Sequence, residues 1–136
     1  MKKEIEKKHI FVIQKHWARN LHYDFRLEVE GVLASWAIPK EPKNSQEKRL
    51  AIMVEDHALE YANFSGKISE GSYGAGKVEI WDKGNYENLK EKTMKECIKK
   101  GQIEINLKGK RLNGNFALIR FKGKNNWLFF KMKNPS

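Results

Sequence analysis

Cysteine is almost missing from this sequence: Cys97 stands alone among 136 residues. A lone thiol excludes an internal disulfide and any cysteine-based zinc motif, and it fits a reducing cytoplasm best. Apolar stretches are short, none near the roughly 20 residues that cross a bilayer as a helix. The first ten residues, MKKEIEKKHI, are charged and lack the apolar stretch of an export signal, so neither a membrane nor export is expected. Acidic residues are in deficit, 17 against 27 Lys and Arg, a net charge of +10. That excess favours a polyanionic partner, nucleic acid first, although scattered lysines also serve solubility alone. Histidine is scarce too, with four positions: His9, His16, His22 and His57.

What is present is alternation. Residues Leu21 to Glu30 read LHYDFRLEVE. Leu21, Tyr23, Phe25, Leu27 and Val29 fall on one face, and His22, Asp24, Arg26, Glu28 and Glu30 on the other. This is the period of a half-buried strand. Its polar face opens with an imidazole, a carboxylate and a guanidinium at i, i+2, i+4 spacing. His22 and Asp24 would stand about 7 Å apart at Cβ, near enough to bend onto one ion. His16, in the loop entering this strand, could supply a third ligand. Two imidazoles and one carboxylate leave positions open, a set suited to Mn²⁺, Fe²⁺ or Zn²⁺ in a catalytic site. The plain alternative is that these side chains are solvated.

Arg26 continues the row and could grip a phosphate bidentately, or form a cross-strand salt bridge. His57, in VEDHALEY, could be a ligand, a general acid or a donor to phosphate; it could equally be a loop histidine held by its acidic neighbours. Lys40 and Arg49 flank strands near the same end, as added positive charge or as ordinary surface residues. GSYGAG (Gly71 to Gly76) lacks the strand and helix context of a phosphate loop and reads as a turn-rich connection allowing close backbone approach. Trp36, Trp81, Trp127 and the Phe129-Phe130 pair read as core, with base stacking open to any that is exposed.

Other strands are expected at HIFVIQ (His9 to Gln14), VLASWAI (Val32 to Ile38), LAIMVE (Leu50 to Glu55), KVEIW (Lys77 to Trp81), QIEINL (Gln102 to Leu107), GNFALIRF (Gly114 to Phe121) and WLFFKM (Trp127 to Met132). Glu30-Gly31 marks a hairpin turn, and Asp82 to Gly84 another turn. Met94, Cys97 and Ile98 have helical spacing before Gly101, which predicts one short helix. Short strands without a βαβ alternation indicate a mainly β fold, an antiparallel barrel or sandwich. One domain over residues 11–136, after a charged arm at 1–10, is the expected organisation, as a monomer.

Together, FVIQKHWARNLHYDFRLEVEGVLASWAIPK and RLAIMVEDHALEYANFSGKISEGSYGAGKVEIWDKG resemble the 3′-phosphoesterase family. That family comprises the N-terminal module of bacterial DNA ligase D and its stand-alone relatives. The resemblance runs from about Phe11 to the C-terminus. Its most specific elements are QKH-x5-HYDFRLE, EDH-x3-Y and YGAG-x-V-x-IWD. It implies a small β-barrel with a polar, crescent-like active surface. It implies a Mn²⁺-dependent enzyme, with Co²⁺ or Zn²⁺ as other occupants, acting on nucleic acid 3′ ends. A 3′-terminal ribonucleoside would be removed first and the 3′-phosphate second, leaving a 3′-hydroxyl for a ligase or polymerase.

By the same resemblance, His16, His22 and Asp24 would hold the metal. Arg26, Arg49, Lys40 and His57 would surround the phosphate, with Gln14 and Tyr61 in support. The chain departs from the family pattern at Asn20, Glu41 and Ala58, beside these residues. Glu4 and Glu6 of the arm are further candidates. With no ligase or polymerase sequence in these residues, a stand-alone protein working beside a separate ligase or polymerase is the expectation. Two other readings stand beside it. A non-catalytic basic barrel would bind nucleic acid without metal, and a two-histidine, one-carboxylate oxygenase would need Fe²⁺ and a cosubstrate.

Overall fold

The alternating segment is a strand, and the barrel is built outward from it. In the computed structural model, which describes residues 9–69 and 75–133, β2 covers Leu21–Val29. Glu30 and Gly31 both have positive φ, 49° and 87°, which turns the chain straight into β3, Val32–Ile38. Positive φ at both central positions matches the twist of a two-residue hairpin, and glycine carries the second without strain.

β2 also pairs with β1, His9–Trp17, and β3 pairs with β4, Arg49–Ala58. After a short β5, Gly66–Ile68, the long β6, Gly76–Asn88, follows. A helix, α1, spans Met94–Lys100, and β7, Gln102–Lys108, β8, Asn113–Lys122, and β9, Asn126–Lys131, complete the chain. The antiparallel order is β1-β2-β3-β4-β9-β8-β7-β6-β5, and β6 also pairs with β1. Eight strands therefore close into a barrel, with β5 attached to β6. Closure removes the free sheet edges that would otherwise invite pairing with other chains.

Inward-facing residues alternate along each strand and fill the barrel. Phe25 is fully buried, with ring centroids 6.2 Å from Phe11, 6.2 Å from Trp36 and 4.9 Å from Phe129. Burial of each such ring contributes on the order of 2–3 kcal/mol. α1 forms as its sequence dictates. Thr93 and Glu96 make a reciprocal capping box, and Gly101, at φ 78°, ends the helix in the left-handed region.

Several elements differ from the sequence expectation. β1 runs on to Trp17, so His16 lies in a strand rather than in a loop, held by pairing with β2 on one side and β6 on the other. β4 extends to Ala58 and carries His57 within it. β6 does not turn at Asp82 to Gly84. The Asp82 carboxylate instead accepts from the backbone N–H groups of Lys83, Lys110 and Leu112, tying the β7–β8 loop to β6. Leu21 is exposed, Trp81 is half-buried at the barrel end, and Phe130 is half-buried on the outer side; Trp36, Trp127 and Phe129 are core as expected. Of the GSYGAG segment, residues 71–74 lie outside the described residues. At Gly76 a Cβ would collide with the Trp17 carbonyl, which confirms the need for close backbone approach there.

The polar face of β2 is also not open to water. Asp24 and Arg26 are 6% and 3% exposed. Asp24 is enclosed by His16, His22 and Arg26, and Arg26 in turn lies under Tyr61 of a 3-10 helix, Leu59–Asn63, which packs through Leu59, Tyr61 and Ala62 on Ile10, Val12 and Leu33, a second small apolar cluster outside the barrel. That lid is what makes the row on β2 a site.

Candidate active site

Strand register assembles the site. On the outer side of the barrel His16 pairs with His22, Gln14 with Asp24, Arg26 with Ser35 and Leu33 with His57. Every polar residue of this row sits at an alternate position on β1, β2, β3 or β4, so the barrel fixes their spacing.

Asp24 is the centre. Its carboxylate lies 3.4 Å from His16 Nδ1, 3.2 Å from His22 Nε2 and 3.3 Å from Arg26 Nη2. Burial pushes the Asp24 carboxyl up, but hydrogen bonds to His16 and His22 and the charge of Arg26 more than reverse this. It is held well below the usual carboxylate range. The hydrogen bond to Asp24 raises His22 above its ordinary 6.5, against the opposing effect of burial.

One ligand atom each from His16, His22 and Asp24 lies within 4.8 Å of the others. Bonds of about 2.1 Å to one cation place neighbouring donors roughly 3–3.5 Å apart, so small side-chain movements suffice. His22 Nδ1 is 3.0 Å from the Asn20 carbonyl, which can only accept. Nδ1 therefore carries hydrogen and Nε2 is the atom turned to Asp24, the orienting contact usual for a metal-ligating imidazole. Two nitrogen donors and an anionic oxygen fit a divalent cation of the Mn²⁺, Fe²⁺ or Zn²⁺ kind.

Arg26 is held on every side. Nε donates to Gln14 Oε1 at 2.6 Å, Nη1 donates to Ser35 Oγ at 2.8 Å, and Nη1 lies 3.0 Å from His57 Nδ1. With Asp24 on Nη2, four of its five N–H groups are engaged. The Tyr61 ring covers the guanidinium, with Cζ 5.0 Å from the ring centroid. Gln14 is fully buried, and its amide donates to the carbonyls of Tyr61 at 2.8 Å and Phe64 at 3.3 Å. One side chain thus joins the lid to the guanidinium. His57 is pushed down by burial and by the nearby Arg26 charge.

The structure therefore brings Gln14, His16, His22, Asp24, Arg26, His57 and Tyr61 together. Arg49 is placed differently. It shares the inward-facing period of Ala51, donating from Nε to the Glu41 carbonyl at 2.8 Å and from Nη1 to Glu47 at 2.7 Å. Lys40 is exposed in the turn after β3. Ile38 pairs with Tyr23, so this turn lies at the His22 end of the barrel. Glu4 and Glu6 lie outside the described residues. Ser35 and Asn20 are contributors that pattern reading missed. A buried serine alternating with Trp36 in an apolar strand is the available signal for the first, and nothing in the sequence marks a backbone carbonyl.

A family model for the DNA ligase D 3′-phosphoesterase domain matches residues 14–120. The multifunctional non-homologous end joining DNA repair protein LigD of Mycobacterium tuberculosis is 52% identical over 125 residues, covering 91% of this chain and 16% of that protein. LigD of Mycolicibacterium smegmatis is 49% identical over 129 residues, with 91% and 17% covered. LigD of Pseudomonas aeruginosa is 46% identical over 128 residues, with 91% and 15% covered. The chain thus spans about a sixth of the length of these curated relatives. Among the described residues, no helix is long and apolar enough to cross a membrane.

Proposed function

The chain belongs to the DNA ligase D 3′-phosphoesterase family, and from that premise we propose a Mn²⁺-dependent enzyme that heals nucleic acid 3′ ends. It removes a 3′-terminal ribonucleoside by phosphodiester cleavage and then the 3′-phosphate, leaving a 3′-hydroxyl. The observation that carries this reading is the meeting of two imidazoles and a carboxylate within 4.8 Å, beside a buried guanidinium. Phosphate binding alone has no use for that ligand set.

His16, His22 and Asp24 would hold the cation, which when bound supplies Lewis acidity to a non-bridging phosphate oxygen. Arg26 contributes a fixed positive charge and its one remaining N–H at the developing negative charge, in a water-poor setting where such charges count most. Its position is set by Gln14, Ser35 and the Tyr61 ring. With Nδ1 turned to the Arg26 guanidinium, the neutral His57 ring would present an Nε2–H that donates a hydrogen bond to a phosphate or leaving-group oxygen. Arg49 and Lys40 add positive charge at the same barrel end, Arg49 after release from Glu47. The setting is repair by end joining in the cytoplasm, as a monomer, with a ligase or polymerase acting on the healed end.

The test is replacement of His22 or Asp24 by Ala in metal-stripped protein with divalent ions restored one at a time. Loss of Mn²⁺-dependent release of a 3′-terminal ribonucleoside is expected. Unchanged turnover in both variants contradicts the metal assignment.

A further inference from the structure

Beside the site, three cations and three aromatic rings follow one another around the end of the barrel. The Lys77 ammonium lies 5.1 Å from the centroid of the Trp17 ring, and Lys15 lies 4.9 Å from that ring and 5.8 Å from Tyr23. Tyr23 meets Trp81 edge-on at 5.7 Å, and Arg111 Cζ lies 4.7 Å from Trp81. The row is unbroken. Trp17 and Trp81 are half-buried, whereas Trp36 and Trp127 have no exposure.

Its charge is only partly neutralised. Lys77 pairs with Glu79 at 3.3 Å, and Glu41 accepts from the Tyr23 hydroxyl at 3.1 Å. Lys15 and Arg111 have no carboxylate partner among the described residues; the Arg111 hydrogen bond goes to the Trp81 carbonyl. Cation–ring contacts at exposed positions are weak, so these cations can exchange a ring for a phosphate at small cost. Tryptophan faces with adjoining cations are the combination that holds unpaired nucleic acid strands, bases stacked and phosphates neutralised.

Position links the row to the site. On β1, Lys15 and Trp17 alternate with Gln14 and His16; on β2, Tyr23 lies between His22 and Asp24. The row and the metal set occupy opposite sides of the same two strands, at their shared end. We propose that this row binds the unpaired nucleic acid strand adjoining the processed 3′ end, with bases stacked on Trp17 and Trp81 and phosphates held by Lys15, Lys77 and Arg111. The inference rests on the end-healing reading above and names the surface that would hold the substrate.

The test is titration of the whole protein with a fluorescein-labelled oligothymidylate of about ten nucleotides, in chelator so that the metal set is silent. Anisotropy reports affinity, and intrinsic fluorescence reports stacking, since the two tryptophans without exposure cannot be reached. Quenching is expected. Trp17→Ala and Trp81→Ala should each bind roughly tenfold or more weakly, with the Phe variants close to wild type. The slope of log affinity against log salt should be about −2 for three cations, and about −1.4 in Lys15→Ala. Unchanged affinity in both Ala variants overturns the proposal. So does unquenched binding that polyglutamate displaces as well as the oligonucleotide does. Binding through the row without any 3′-end turnover contradicts the phosphoesterase reading alone; turnover with normal binding by the Ala variants contradicts the row alone.

Discussion

Arg26 Nη1 lies 3.0 Å from His57 Nδ1, and a guanidinium can only donate, so His57 accepts at that nitrogen. That contact is shorter than the 3.3 Å from Nδ1 to the Glu55 carbonyl, and it favours the neutral Nε2–H tautomer. Burial and the Arg26 charge both act in the same direction, lowering its pKa from 6.5. NMR titration of the metal-free protein should place the His57 midpoint below 6.5, and Arg26→Met should move it upward. A depressed histidine contributes stability that is present above the unfolded value of 6.5 and is lost as pH falls towards the folded value. Replacing His57 by Gln should therefore flatten the fall of urea-unfolding stability below pH 6.5.

Gln14 hydrogen-bonds both the lid and the guanidinium, so its loss should be felt at both. Gln14→Ala leaves buried Arg26 Nε and two lid carbonyls short of partners, a destabilisation of about 1–3 kcal/mol. In kinetics, kcat should fall more than KM rises, because Arg26 and His57 lose their alignment. A KM effect with normal kcat would mean that the lid serves binding alone.

Asp82 offers a stability prediction remote from the site. Three backbone N–H groups converge on its 4%-exposed carboxylate. Asp82→Ala should cost about 2–4 kcal/mol in urea unfolding by stranding buried donors, with Asp82→Asn milder since one oxygen remains. Gly109 shares the constraint, for a Cβ there would collide with Asp82 Oδ2 and lie 2.7 Å from Phe11.

The alternation of LHYDFRLEVE, the Glu30-Gly31 turn and the Gly101 helix stop are local chemistry, and each was legible without a structure. The burial of Arg26 was not, because Tyr61, which covers it, belongs to a lid folded from residues more than thirty positions away. His16 looked like a loop residue since Lys15, His16 and Trp17 lack an apolar alternation; two neighbouring strands, not local preference, extend β1. Asp82 before Lys83-Gly84 reads as a turn locally, and only its partners 28 and 30 residues on show otherwise. Two of the three metal-ligand candidates were readable because strand period alone brings His22 and Asp24 to one face. The company of Arg49, bonded to Glu47 and Glu41, was not.

Metal addition gives a test independent of turnover. A cation bound only by the folded state stabilises it by mass action, about 2.7 kcal/mol at a hundred times its Kd. Thermal unfolding of wild-type protein should shift upward with Mn²⁺, and Asp24→Ala and His16→Ala should lose most of that shift. An equal shift in all three proteins would place the cation elsewhere.

The most direct measurement is a 5′-labelled DNA primer ending in a single ribonucleotide, annealed to a longer template and incubated with metal-stripped protein and Mn²⁺. The account predicts a product one nucleoside shorter that carries a 3′-phosphate, converted in time to the 3′-hydroxyl, with neither product in chelator. A primer that stays intact with every divalent ion supplied, or is shortened equally in chelator, would contradict it.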